Sequence, residues 1–258
     1  MKFYRLFLVI TLFLLQSCQQ QKEIKEETLT REYNRAEAAS YNIQLGLAYL
    51  KQGNRPRAKR KLLVALSQAP DSPAVNSAMA YFMEKTGDLK EAKSYYQKAM
   101  SLAPSSGAQL NNYGAFLCRQ GHYNKAEEYF AKAVKDIHYE NTAGAYENAG
   151  LCAIAVPDYT KAKEYFIKAL EQDSSRKQSL YELVNINIKQ NQPNEALAYL
   201  QKYPNLSLGD RTLLSLAADI AQQTGKIELE ADYRARLQQL NSFSDNTGEK
   251  HAYNNDNG

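Results

Sequence analysis

Cys18, Cys118 and Cys152 carry the most versatile chemistry in this chain. A thiol can be acylated, oxidised to a disulfide or used as a metal ligand, and its surroundings and spacing decide among these. His122, His138 and His251 are scattered, and none has a second ligand at the spacing a zinc site needs, so no metal is expected. There is no glycine loop to cradle a phosphate and no serine elbow. Glu127 and Glu128 lie beside Lys125 and Lys132 and read as a solvated charge network rather than an acid-base pair. These sets predict no enzyme, no cofactor and no small-molecule substrate.

The elements that must position these residues repeat. Ala58, Ala92, Ala126, Ala162 and Ala196 stand at steps of 34, 34, 36 and 34, each followed four residues later by Leu62, Tyr96, Phe130, Phe166 or Leu200. A fixed period of this size marks one stacked supersecondary unit. Runs such as YNIQLGLAYLKQG before an alanine and AKRKLLVAL after it have apolar residues at helical spacing, so each unit reads as two amphipathic helices. Gly53, Gly87 and Gly121 divide the pairs, and Pro70 and Pro104 stop second helices. Gly46, Ala80, Gly114 and Gly150 are expected to face the marker alanines, with the bulky residue four positions on filling the space between units. Tyr95, Tyr96, Tyr129, Phe130, Tyr165 and Phe166 are expected in the core.

The start of the chain bears on the compartment. Residues 1–17 combine Lys2 and Arg5 with an apolar run from Leu6 to Leu15, the pattern of a secretory signal peptide. The ending Leu15, Gln16, Ser17, Cys18 resembles the bacterial lipobox, which implies removal of 1–17 and lipidation of Cys18. An ordinary cleaved signal that contains a cysteine is the competing reading. Gln19 and Gln20 follow where an inner-membrane retention signal would carry aspartate, so the resemblance implies the periplasmic face of the outer membrane of a Gram-negative bacterium. Residues 18–36 read as a polar tether to an acyl anchor in the bilayer, with helix open near its end, and 241–258 as a disordered tail. The formal charge of +4 falls to +2 once Lys2 and Arg5 leave, which makes no case for nucleic acid.

Leu45, Gly46, Tyr49, Ala58, Leu62, Ala65 and Pro70 resemble the tetratricopeptide repeat family. The resemblance implies an all-α, right-handed superhelix of about six helix-turn-helix units across 37–240. Their expected bounds are 39–72, 73–106, 107–142, 143–176, 177–210 and 211–240. In the sixth unit Glu230 stands where the alanine belongs, so either the register slips to Ala231 or the unit is a terminal cap. Cys118 and Cys152 fall on first helices of adjacent units, where they either bridge, closing a loop of about 35 residues, or stay two buried thiols. An oxidising periplasm favours the bridge.

In such arrays the first helices line a groove for a partner. Here the resemblance places Ile43, Leu47, Leu50, Tyr81, Asn111, Arg119, Leu151 and Ile154 on it, a surface suited to a peptide with apolar anchors. The other reading has Ile43, Leu47 and Leu50 covered by the segment Glu27 to Ala39 packed as an extra helix. The blocks NNYGAFLC at Asn111 to Cys118 and YENAGLC at Tyr146 to Cys152 are similar to the type IV pilus biogenesis and stability lipoproteins, the pilotins of the pilus secretin. Membership implies a partner in the secretin subunit and a role in its outer-membrane localisation and multimerisation. An outer-membrane adaptor for cell-wall hydrolases or barrel-assembly machinery is the alternative.

Overall fold

The computed structural model describes residues 30–252, so residues 1–29, with the expected signal segment, Cys18 and the start of the expected tether, and residues 253–258 lie outside the described residues. Within them every helix pair is closed by one kind of turn. After the first helix a residue adopts positive φ, as Gly53 (75°), Gly87 (93°), Gly121 (79°), Asn191 (56°) and Gly225 (69°) do. The next amide then donates back five residues, from Asn54 to Tyr49 (2.9 Å), Asp88 to Met83 (2.9 Å), His122 to Leu117 (2.9 Å), Asp158 to Ala153 (3.0 Å), Gln192 to Asn187 (2.8 Å) and Lys226 to Ala221 (2.9 Å). This bond satisfies a carbonyl that the helix end would leave orphaned. In three turns the same residue starts the second helix, Asn54, Asp88 and Asp158 accepting side-chain bonds from the amides of Arg57, Glu91 and Lys161.

The pairs are α1 (30–51) with α2 (Arg55–Gln68), α3 (Pro73–Thr86) with α4 (Leu89–Leu102), and α5 (Gly107–Arg119) with α6 (Tyr123–Ala133). They continue as α7 (Thr142–Ala155) with α8 (Tyr159–Gln172) and α9 (Lys177–Lys189) with α10 (Pro193–Lys202). The short α11 (Pro204–Ser207) precedes α12 (Arg211–Gln223) and α13 (Ile227–Ala252). Among the described residues the fold is all-α. Where α2 and α4 end, Ala69 (φ −142°) and Ala103 (φ −147°) have left the helical region, and each precedes a proline, which disfavours helix at the residue before it.

The chain forms two compact units, one ending at Ser105 and the other beginning at Ser106. In the first, Ala58, Leu62, Ala78, Met79 and Phe82 form a core, beside a smaller cluster of Ala39, Ala65 and Val75. In the second, one core runs from Ala153 and Phe166 through Leu183 and Leu200 to Ala217 and Tyr233. All five marker alanines are fully buried. Of their bulky followers, Leu62 shares a core with Ala78, Met79 and Phe82 of the next pair and Phe166 with Leu180 and Leu183, so they pack between hairpins as expected, and three also close on a glycine of their own hairpin. A Cβ on Gly46 would meet Leu62 at 2.7 Å, one on Gly114 would meet Phe130 at 3.0 Å, and one on Gly150 would meet Phe166 at 2.7 Å. The bulky side chain thus also covers the glycine of its own hairpin, since a helix without a side chain leaves room for a neighbour's.

Both ends of the chain carry more helix than a regular repeat. Residues 30–36, the end of the expected tether, are helical and belong to one continuous helix across 30–51, and 30–37 are exposed. No glycine or proline interrupts the run, so helix propagates outward. The segment before Ser40 thus does not fold back over Ile43, Leu47 and Leu50. At the other end α13 continues to Ala252, through residues expected to be a disordered tail, because no proline halts an established helix. In the sixth unit the register does not slip to Ala231, which is exposed, leaving the terminal-cap alternative: Glu230 is half-buried and pairs with Arg234 (2.8 Å), and Tyr233 enters the core with Leu229, Leu237 and Leu240.

Candidate functional site

The first-helix faces hold fewer free side chains than their sequence suggests. Ile43, Leu47 and Leu50 are only half-exposed, because they pack against the Ala78, Met79 and Phe82 core on α3. Tyr81 on α3 is 37% exposed, and Lys85 Nζ lies 5.3 Å from its ring centroid. Of the expected apolar residues of this unit it is the most exposed.

In the second unit Asn111 is 7% exposed and accepts from Asn148 Nδ2 at 3.0 Å. That bond joins α5 to α7 and removes Asn111 from any role in gripping a peptide, because a buried amide keeps its internal partner. Leu151 is 38% exposed, Ile154 is half-buried against the core, and Arg119 is exposed. Glu147, beside Leu151, is committed to Arg176 (3.4 Å) and accepts from the Ser179 hydroxyl (2.8 Å). Tyr81 and Leu151 are therefore the apolar expected residues that stand free, each in its own unit.

Cys118 and Cys152 are joined in a disulfide with their Cα atoms 5.8 Å apart, a normal separation for such a bond. It ties α5 to α7 close to Asn111 and Asn148. Cys152 is 5% exposed.

The carboxylate network differs from its sequence reading. Glu127 pairs with neither Lys125 nor Lys132. It takes Lys161 Nζ on both oxygens at 2.9 Å and the Tyr165 hydroxyl at 2.8 Å, linking α6 to α8. The Lys161 hydrogen bond holds the Glu127 carboxyl below its ordinary range, and burial, followed by the bond to Glu127, pushes the Tyr165 phenol up. A cleft of about 170 Å³ beside this group, bordered by Tyr123, Phe130 and Val156, is smaller than the roughly 300 Å³ of small-molecule sites. Among the described residues no cluster of three His, Cys, Asp or Glu side chains is placed to hold a metal.

One feature escaped the sequence reading. On α2, Arg55, Arg57, Lys59, Arg60 and Lys61 fall within seven residues, and the helix has no acidic residue. The overall charge concealed it.

Paired antiparallel helices closed by one repeated turn define a helical-hairpin repeat protein. Models of the tetratricopeptide repeat match residues 43–72, 75–106, 107–137 and 143–176, so these stretches are tetratricopeptide repeats. No curated protein sequence gives a significant match. Among solved structures, PilF of Pseudomonas aeruginosa is similar at 29% identity and a TM-score of 0.63, covering 85% of this chain and 99% of that one. PilW, a widely conserved type IV pilus biogenesis factor, follows at 24% identity and a TM-score of 0.62, covering 78% and 92%. Yeast Tom70, at 16% identity and a TM-score of 0.55, covers 84% of this chain and 43% of its own. The last two likenesses show the fold alone.

Proposed function

We propose that the chain is an outer-membrane lipoprotein that binds the type IV pilus secretin and promotes its localisation and assembly into multimers. The observation that carries this reading is the likeness to PilF over nearly the whole of both chains. The NNYGAFLC and YENAGLC blocks add to it, as does the lipobox-like ending at Cys18. The mechanism is one of effective concentration: acyl chains on Cys18 hold the repeats at the membrane, and exposed anchors there collect secretin subunits. Protein-protein binding without catalysis suits a repeat scaffold whose free side chains are apolar or simply charged.

Tyr81 and Leu151 are the positions to test. Leu47→Asp would place a charge against Met79 and Phe82 and upset the fold, so it cannot separate binding from stability. Tyr81→Asp and Leu151→Asp change exposed positions. The expected outcome is loss of heat-resistant secretin multimers on immunoblots, with pilotin abundance and lipidation unchanged. Normal multimers in both variants would remove these faces from the mechanism. A pull-down returning cell-wall hydrolases or barrel-assembly proteins without secretin would replace the reading with the adaptor alternative.

A further inference from the structure

The second helices of the first five hairpins follow a common pattern on their solvent side, and α2 breaks it. At the place held by Val64 the later units carry Lys98, Lys132, Lys168 and Lys202. These lysines are occupied: Lys98 with Asp71 at 3.3 Å, and Lys132, Lys168 and Lys202 over the rings of Tyr129, Tyr165 and Tyr203. On α2 the position is aliphatic, with Val64 38% and Leu63 45% exposed. Its cations sit a turn earlier. Ala58, Leu62 and Ala65 face the core, so at 100° per residue Arg60, Leu63 and Val64 share the opposite face, with Lys59 on one flank and Arg57, 5.7 Å from the Tyr49 ring centroid, on the other. Among the described residues no carboxylate forms an ion pair with any of the five α2 cations.

We infer that this face of α2 rests on an anionic phospholipid surface. Basic side chains around exposed aliphatics are the composition of an interfacial helix, the cations meeting phosphate and the aliphatics entering the headgroup boundary. The charge of the chain is polarised to match: residues 30–105 carry twelve Lys and Arg against six Asp and Glu, whereas 106–252 carry sixteen against eighteen. The chain entry also fits. Asn42 Nδ2 donates to Gln68 Oε1 at 3.1 Å, so the helix leading from the N-terminus enters beside the C-terminal end of α2, the end that bears Leu63 and Val64. Arg31 and Arg35 lie on that same helix. This last point rests on the reading of Cys18 as the anchor; residues 18–29 then span at most about 40 Å and keep α2 within reach of the bilayer.

The test omits the anchor and the secretin. The chain from residue 18 with Cys18→Ser is sedimented with vesicles of phosphatidylethanolamine and phosphatidylglycerol, and separately with phosphatidylcholine vesicles. Binding is expected only to the phosphatidylglycerol vesicles and should weaken as salt rises. It should fall about tenfold or more in Lys59→Glu/Arg60→Glu and stay unchanged in Lys125→Glu. All these positions are exposed, and circular dichroism should show both variants as helical as the parent. No binding to either vesicle, equal binding to both, or equal binding by the Lys59→Glu/Arg60→Glu variant overturns the inference. Failure of the Tyr81 and Leu151 variants to disturb secretin would leave this result standing.

Discussion

At Gly150 a single methyl group decides whether a hairpin closes. Gly150→Ala would bring a Cβ to 2.7 Å from Phe166 Cε1, whereas Gly114→Ala meets Phe130 at 3.0 Å. Overpacking of this kind costs about 1–3 kcal/mol, and the Gly150 variant should stand at the upper end in urea unfolding, with Gly114→Ala milder. A different variable governs Glu127, whose carboxyl the Lys161 hydrogen bond holds below its ordinary value of 4.5. Stability from a lowered carboxyl pKa is present above the unfolded value and is lost as pH falls through the folded one. The gap in unfolding midpoint between the parent and Glu127→Gln should therefore be widest near neutrality and shrink below about pH 4. The marker alanines were legible in the sequence because a strict period fixes a face. Asn111 was not, because its partner Asn148 lies on the next first helix, and no local pattern says that an amide on an exposed-looking face is already taken.

The helices and their turns were legible almost throughout, since glycine, proline and apolar spacing act within a few residues of themselves. Asn191 takes the positive-φ role that glycine has elsewhere, which its short polar side chain tolerates. The ends were less legible, because nothing in composition announces whether a polar run stays helical once a neighbouring helix has nucleated. In the sixth hairpin the sequence left a register slip and a terminal cap open, and Leu229, Tyr233, Leu237 and Leu240 supply its buried stripe in a register of their own. Two elements are joined covalently, and the loop between Cys118 and Cys152 spans 34 positions. Cys118→Ser/Cys152→Ser should lose roughly 3–4 kcal/mol relative to the oxidised parent in the chain-entropy model, read by denaturant unfolding. Adding reductant to the parent should reproduce the loss, and the double variant should not respond. The loop after α6 offers a second check. Asp136 accepts from the Gly107 amide at 2.6 Å, and a Cβ on Gly107 would meet Tyr139 Cβ at 2.5 Å, so Gly107→Ala should lower the melting temperature by displacing that loop.

Across the whole molecule a modest net charge conceals an uneven one, and this was the feature a composition summary could not disclose. The cations of α2 are visible as RPRAKRK once the period is used to align second helices, because only the alignment shows that lysine is ordinary at the Val64 position and aliphatics are not. Association with any anionic partner should thus be sensitive to substitutions in residues 30–105 and nearly blind to those in 106–252. The six matching turns have a kinetic corollary. A bond that reaches back only five residues needs nothing synthesised later, so each pair can condense as soon as it emerges and neighbouring pairs can add to it. A ribosome-stalled chain ending after Gln172 should already be helical, and refolding from urea should be rapid, with whichever end orders first acting as a template for the remainder.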